Sequence, residues 1–341
     1  MKENHRKFLP FVLALALCAL ALLPFWARRT ASAFENSPDN AKDSYTVLIC
    51  GVDKSAGNTD VMMLASIDSK ACTLDVLQIP RDTFVNPESS GLGVTRVNAV
   101  YASFLRKSAL SGISAKKEAM EKLSAMLGEA LCVEIDRYVL IDTEAFARAI
   151  DAVGGIEYDV PFEMHYDDPV QNLHIHLEKG RQMLDGKKAE GFMRYRSGYV
   201  TGDLGRVEAR GGFMREAFLQ LRSKISAGVA AKIAIGLAGD VVTNVGVGEI
   251  ADIAAMLYRV DTEGVNIKTL SGSAVQNPRT LAWTYYALNK RAALADINKY
   301  FGREGAEISY ESFDKKAVFT DDPYGENPYI SKYYYSQIKT E

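Results

Sequence analysis

Three short apolar runs set the frame for this chain. Tyr45–Cys50, Val61–Ile67 and Thr73–Ile79 are rich in β-branched and aliphatic residues. Each is short and bounded by turn residues, which predicts buried strands. Gly51 ends the first, Asp68-Ser69-Lys70 turns the chain after the second, and the third runs into Pro80-Arg81-Asp82-Thr83. Asp53, Asp60, Arg81 and Asp82 are thereby delivered to strand ends and loops. A strand scaffold with polar residues at its rim is where function concentrates. Taken singly, an aspartate at such a place is more often a turn or cap carboxylate.

The pattern then alternates between helix and strand. Ser114–Leu131 predicts a helix, with Met120, Leu123, Leu127 and Leu131 on one stripe. Arg137–Ile141 predicts a strand and Thr143–Val153 a helix, stopped by Gly154-Gly155 as a left-handed cap would stop it. Ile156–Val160 predicts another strand. Leu173-His174-Ile175-His176-Leu177 alternates strictly, placing two histidines on one face. With His165 they could suggest a metal site, but histidines on a half-exposed strand are common. Helices are expected over 187–193, 203–226, 230–237, 247–257 and 281–301, with one more strand over Val265–Leu270.

From the end of the first of these helices into the start of the second runs Arg194-Tyr195-Arg196-Ser197-Gly198-Tyr199-Val200-Thr201-Gly202-Asp203-Leu204-Gly205-Arg206. Arginine stays charged at any working pH and its planar fork suits phosphate oxygens. Asp203, Arg206 and Arg210 fall at i, i+3 and i+7 near a helix start, where backbone donors and the helix dipole also favour anions. A solvated run of charge is the plainer alternative. Net charge is -3, so no global field argues for nucleic acid, and any anion must bind at a local cluster.

Phe8–Trp26 holds nineteen residues without a charge, preceded by Lys2, Arg6 and Lys7. At about 1.5 Å per residue it spans roughly 28 Å, near the hydrocarbon thickness of a bilayer. Ala31-Ser32-Ala33 resembles a signal-peptide cleavage site, but the long run and the intervening Arg28 and Arg29 favour an uncleaved anchor. Either way, the later residues lie outside the cytoplasm. Three cysteines beyond the apolar segment (Cys50, Cys72, Cys132) have neither metal-site nor disulfide-framework spacing.

No P-loop, dinucleotide fingerprint or Gly-x-Ser-x-Gly elbow occurs, which argues against a nucleotide kinase or serine hydrolase. The chain instead offers carboxylates at strand ends and a set of arginines. Carboxylates with phosphate oxygens and water suit Mg2+, and arginines stabilise charge moving to a phosphate leaving group. Phosphoryl transfer or hydrolysis on a pyrophosphate, outside the membrane, fits both sets.

The order Gly51-Val52-Asp53, Thr59-Asp60, Ile79-Pro80-Arg81-Asp82-Thr83, Val97-Asn98-Ala99, Leu184-Asp185-Gly186, Arg194-Tyr195-Arg196 and Gly202-Asp203-Leu204-Gly205-Arg206 resembles the LytR-CpsA-Psr family of cell-wall enzymes. The resemblance implies a three-layer α/β/α sandwich with a central mixed sheet, preceded by one N-terminal transmembrane helix. The domain plan it suggests is a cytoplasmic N-terminus (1–7), a signal anchor (8–26), a linker (27–43), a catalytic domain (44–226), a C-terminal helical extension (227–312) and a flexible tail (313–341). The implied reaction is transfer of a glycopolymer of teichoic-acid or capsule type from undecaprenyl pyrophosphate to peptidoglycan, with a pyrophosphatase side activity. The protein would be a single-pass cell-membrane protein, its catalytic domain outside. By the same resemblance Asp53 and Asp60 hold Mg2+. Arg81, Arg194, Arg196 and Arg206 take the pyrophosphate, with Arg210 as a further contact, and Arg81, Asp82 and Asp203 serve the reaction. The chain departs from the family where Asn58 replaces an arginine, Val61 a threonine, and Ala209-Arg210 an Arg-Gln pair. A non-catalytic polyprenyl-phosphate-binding envelope protein is the alternative.

Overall fold

The computed structural model describes residues 42–52, 57–86, 90–169, 173–195, 197–199, 203–224, 241–260, 263–276, 283–302, 307–314 and 319. The strands are β1 (Ser44–Val52), β2 (Thr59–Asp68), β3 (Thr73–Gln78), β4 (Arg137–Asp142), β5 (Ile156–Val160), β6 (Met164–Asp168), β7 (Leu173–Leu177), β8 (Gly180–Leu184), β9 (Val242–Thr243), β10 (Val265–Thr269), β11 (Gly272–Gln276) and β12 (Trp283–Leu288). The helices are α1 (Val100–Lys107), α2 (Gly112–Leu131), α3 (Thr143–Ala152), α4 (Gly186–Arg194), α5 (Asp203–Lys224), α6 (Val247–Arg259), α7 (Lys290–Phe301) and α8 (Tyr310–Asp314).

A six-stranded mixed sheet runs in the order β10-β3-β2-β1-β4-β9. β1 pairs antiparallel with β2 and parallel with β4, and β3 pairs parallel with β10. The apolar runs are buried on both faces because side chains alternate across the sheet. Val47, Ile49, Val61, Met63 and Val139 point into one core with residues of α3, α4, α5 and α6. Leu48, Cys50, Met62, Leu64 and Leu140 point into the other with residues of α1, α2, α7 and α8. Helices therefore cover both faces. Ribbons β5–β8, β6–β7 and β11–β12 lie outside the main sheet.

Local chemistry sets the boundaries. Asp142 caps α3, its Oδ1 accepting from Ala145 N at 2.9 Å, and Asp185 caps α4 through Lys188 N at 2.8 Å. Gly154 and Gly155 close α3 with positive φ, as expected. At Gly186 an added Cβ would stand 2.1 Å from the Ala147 carbonyl oxygen, so only glycine lets α4 start so close to α3.

Residues after 226 are less helical than expected. β9 and β10 supply both edges of the central sheet, and β12 occupies the first part of the predicted helix over 281–301. The run Trp283-Thr284-Tyr285-Tyr286 is aromatic and β-branched, which suits a strand. The helix begins only after Asn289, whose Oδ1 accepts from Ala292 N at 3.0 Å. In the expected flexible tail, Phe313 and Phe319 are buried in the second core. No helix among the described residues is long and apolar enough to cross a membrane. The expected anchor (8–26), the predicted helix over 230–237 and the rest of the tail beyond 319 lie outside the described residues.

Candidate functional site

The strand ends converge on one rim of the sheet. Val52, at the end of β1, pairs with Thr59 at the start of β2 and with Asp142 at the end of β4. β3 ends beside the start of β2, with Gln78 opposite Met63. Ile79 N still donates to Met62 O at 2.9 Å, and the chain then turns, with Thr83 N donating to Pro80 O at 2.9 Å. The turn holds Arg81 and Asp82 over the start of β2.

A second segment locks this turn. Asn98 N donates to Arg81 O at 3.2 Å and Val97 N to Thr83 O at 2.9 Å. Asn98 O in turn accepts from Thr59 Oγ1 at 3.3 Å. From the far side, Tyr286 N donates to Asp82 O at 2.8 Å. Main-chain bonds thus fix Arg81 and Asp82, and the Thr59 hydroxyl ties the start of β2 to the same segment.

The side chains form a line of alternating charge. Arg81 Nη1 stands 3.3 Å from Asp60 Oδ1, and Arg81 Nε stands 3.5 Å from Asp82 Oδ2. Arg96 Nε approaches Asp82 Oδ1 at 3.6 Å while its guanidinium lies 5.5 Å from the Tyr285 ring centre. Asp60 and Arg81 are 7% and 8% exposed, whereas Asp82 and Arg96 are half-buried and reach toward solvent. A buried charge is retained only with partners that compensate it, and Arg81 and Asp60 serve each other in that way. Sequence reasoning missed the part Arg96 plays here. It stands two residues before Asn98, and its link to Asp82 exists only once the segment folds back on the turn.

Arg194 is positioned by the packing of α4 against α3. Gly186 N donates to Asp151 Oδ1 at 2.7 Å, joining the start of α4 to the end of α3. Further along α4, Glu190 feels the charge of Glu144, in the first turn of α3. The two helices are antiparallel, so Arg194, ending α4, lies at the end of α3 that springs from Asp142. Arg194 Nη1 donates to Glu190 Oε1 at 2.8 Å. Burial pushes the Glu190 carboxyl up, with Arg194 opposing the shift.

The loop after α4 is fastened by aromatic rings. Phe162 packs edge-on against Tyr199, with centres 4.9 Å apart, and lies 6.1 Å from the Tyr195 ring. Gly198 has φ 79°, and an added Cβ would lie 2.8 Å from the Phe162 ring. Arg210, on α5, is 3% exposed, about as buried as Asp60 and Arg81. Asp53 and Arg196 lie outside the described residues. Asp203 and Arg206 are in the first two turns of α5, and their side chains are outside the description.

The donor set suits a hard cation. Asp60 offers carboxylate oxygen at a strand end beside Arg81, and Mg2+ takes one or two carboxylates with the remaining oxygens from phosphate and water. Asp60 is the described member of the pair that the resemblance assigns to the ion.

The LytR_cpsA_psr family pattern matches residues 26–300. The chain belongs to the LytR_cpsA_psr family. Among its relatives is the polyisoprenyl-teichoic acid–peptidoglycan teichoic acid transferase TagV of Bacillus subtilis, 26% identical over 242 residues, covering 69% of this chain and 58% of TagV. The correspondingly named TagU of Oceanobacillus iheyensis is 30% identical over 168 residues, covering 48% of each chain. This LytR_cpsA_psr chain thus matches about half to three-fifths of the length of those relatives. The B. subtilis TagV structure superposes with a TM-score of 0.58 at 23% identity, covering 82% of this chain and 99% of that one. A structure of TagT bound to LI-WTA gives a TM-score of 0.56 at 19% identity, covering 78% and 94%. At these identities the likeness establishes the fold, an α/β arrangement shared across the family.

Proposed function

We propose that this chain is a membrane-anchored, extracytoplasmic phosphotransferase that moves a glycopolymer from a polyprenyl-pyrophosphate carrier to peptidoglycan. The observation that carries the reading is the buried Arg81–Asp60 pair, 3.3 Å apart, at the rim of the sheet. Family membership and the transferase names of TagV and TagU support it.

The chain's own groups have definable tasks. The Arg81 fork would grip phosphate oxygens, its main chain held by Asn98 N and its turn by Val97 N on Thr83 O. Arg194, and with it Arg196 and Arg206, would take the remaining oxygens. Asp82 holds Arg81 and Arg96 in register while facing solvent, where an acceptor hydroxyl must enter. Asp60 and Asp53 would hold Mg2+, which supplies positive charge against the pyrophosphate.

In the reaction, the acceptor oxygen forms a bond to the phosphorus that carries the glycopolymer. The bond from that phosphorus to the bridging oxygen breaks, polyprenyl phosphate leaves, and the hydroxyl proton passes to a carboxylate. Asp82 and Asp203 are the candidates for that proton. With water as acceptor, the same steps give the pyrophosphatase side activity. A purely lipid-binding role is the second reading, favoured by Asn58 and Ala209 standing where the family has arginines.

The test incubates the 341-residue chain in detergent with a lipid-pyrophosphate-linked glycopolymer, a peptidoglycan acceptor and Mg2+. Released polyprenyl phosphate that disappears in Asp60→Ala and Arg81→Ala supports transfer. Lipid bound and recovered unchanged under every metal tried would overturn transfer in favour of the binding role.

A further inference from the structure

Three of the chain's four histidines sit on one exposed face of one ribbon. β6 pairs antiparallel with β7, placing His165 opposite His176 and Asp167 opposite His174. Leu173, Ile175 and Leu177 on the other face are buried, so the histidines have no part in the core. Ile175 lies against Gly191 of α4, which joins the ribbon to the helix ending in Arg194.

We propose that this face binds a divalent transition-metal ion of the Zn2+ type through His174 Nδ1, His176 Nε2 and Asp167 Oδ1, with water completing the shell. Asp167 Oδ1 is 2.6 Å from His174 Nδ1 and 3.1 Å from His176 Nε2. The three ligand atoms all lie within 4.8 Å of one another. At metal–ligand distances of about 2.0–2.1 Å, a tetrahedral ion sets its ligands about 3.3 Å apart, so small rotations of exposed side chains close the site. Two imidazoles with one carboxylate favour Zn2+ or Cu2+ over Mg2+, which prefers oxygen alone.

The surrounding bonds point the same way. A neutral His176 that binds through Nε2 carries its proton on Nδ1. That nitrogen is 3.1 Å from His165 Nδ1 and can donate to it. His165 then carries its own proton on Nε2, which lies 2.7 Å from Glu163 Oε1. The relay Glu163–His165–His176 therefore accommodates the tautomer that the metal requires. Such outer partners are characteristic of imidazole ligands. The ion would link the two strands of a ribbon whose isolated form is marginal. None of these residues belongs to the Asp60–Arg81 rim.

The test is calorimetric titration of the 341-residue chain in detergent with Zn2+ alone, and again in excess Mg2+. One equivalent is expected to bind saturably in both. Affinity should fall at least about tenfold in His174→Gln and in His176→Gln, and about tenfold in His165→Gln through loss of the relay. Circular dichroism should be unchanged, because all three side chains are exposed. No saturable uptake by the parent chain would overturn the proposal, as would an equivalent retained at parental affinity in both His174→Gln and His176→Gln. Competition by Mg2+ for the same equivalent would overturn the transition-metal assignment.

Discussion

The Arg81 guanidinium stands 3.3 Å from the Asp60 carboxylate, with both residues buried at the rim of the sheet. Each is the other's compensation, so removing one charge and removing both have different consequences. Arg81→Met leaves Asp60 buried without that partner and is expected to cost on the order of 3 kcal/mol. The double variant Asp60→Asn/Arg81→Met should recover much of this in denaturant unfolding. Transfer should stay lost in both, since removing one preorganised donor typically costs about a hundredfold or more. Recovery of transfer together with stability would make the pair purely structural.

Gly198 answers to two constraints at once, a φ of 79° and the Phe162 ring. Gly198→Ala should cost about 1–2 kcal/mol in local order. Because the loop joins Arg194 to α5, the apparent KM for lipid substrate should rise. Gly198→Ala with parental KM and parental thermal stability would show that the loop tolerates the strain.

Arg137 on β4 donates to Glu249 on α6 through Nε at 2.8 Å and also through Nη2, a two-point grip between the sheet and the late helix. The Arg137 hydrogen bonds hold the Glu249 carboxyl below its ordinary value. A lowered carboxyl stabilises the fold above its unfolded-state value, and that contribution disappears as pH falls through the folded one. Glu249→Gln should therefore cost about 1 kcal/mol at neutral pH. In melts taken at falling pH, the gap between parent and variant should close below the usual carboxylate range. A gap independent of pH would refute the assignment.

Glu190 behaves in the opposite sense. Burial raises its carboxyl, so its contribution is full below the ordinary value and is lost as pH rises through the raised one. Glu190→Gln keeps the neutral form and should gain on the parent as pH rises. It also leaves Arg194 with an uncharged neighbour, and binding of inorganic pyrophosphate should tighten by about threefold to tenfold. Unchanged pyrophosphate affinity would place Arg194 outside the anion site.

The early strands were legible because runs such as Val61–Ile67 are buried on both faces and leave no competing period. The edge strands were not. Val242–Thr243 is two residues long, and no periodicity exists at that length. The β12 strand was hidden because its aromatic run passes into the pattern of α7 with only Asn289 between them. At the site, Asp60, Arg81 and Asp82 could be found because they sit where strands stop. Arg96 could not, since its contact with Asp82 depends on a fold-back.

The central sheet has a construction order. Its four middle strands are contained in the first 142 residues, but the strands that border β3 and β4 come from residues 265–269 and 242–243. A chain emerging in sequence holds two raw margins, with unpaired amides and carbonyls, until more than a hundred further residues have been made. Protection of β3 and β4 amides against hydrogen exchange should therefore arrive late and together. A fragment ending at residue 226 would carry the Asp60–Arg81 rim on a sheet free to recruit its neighbours.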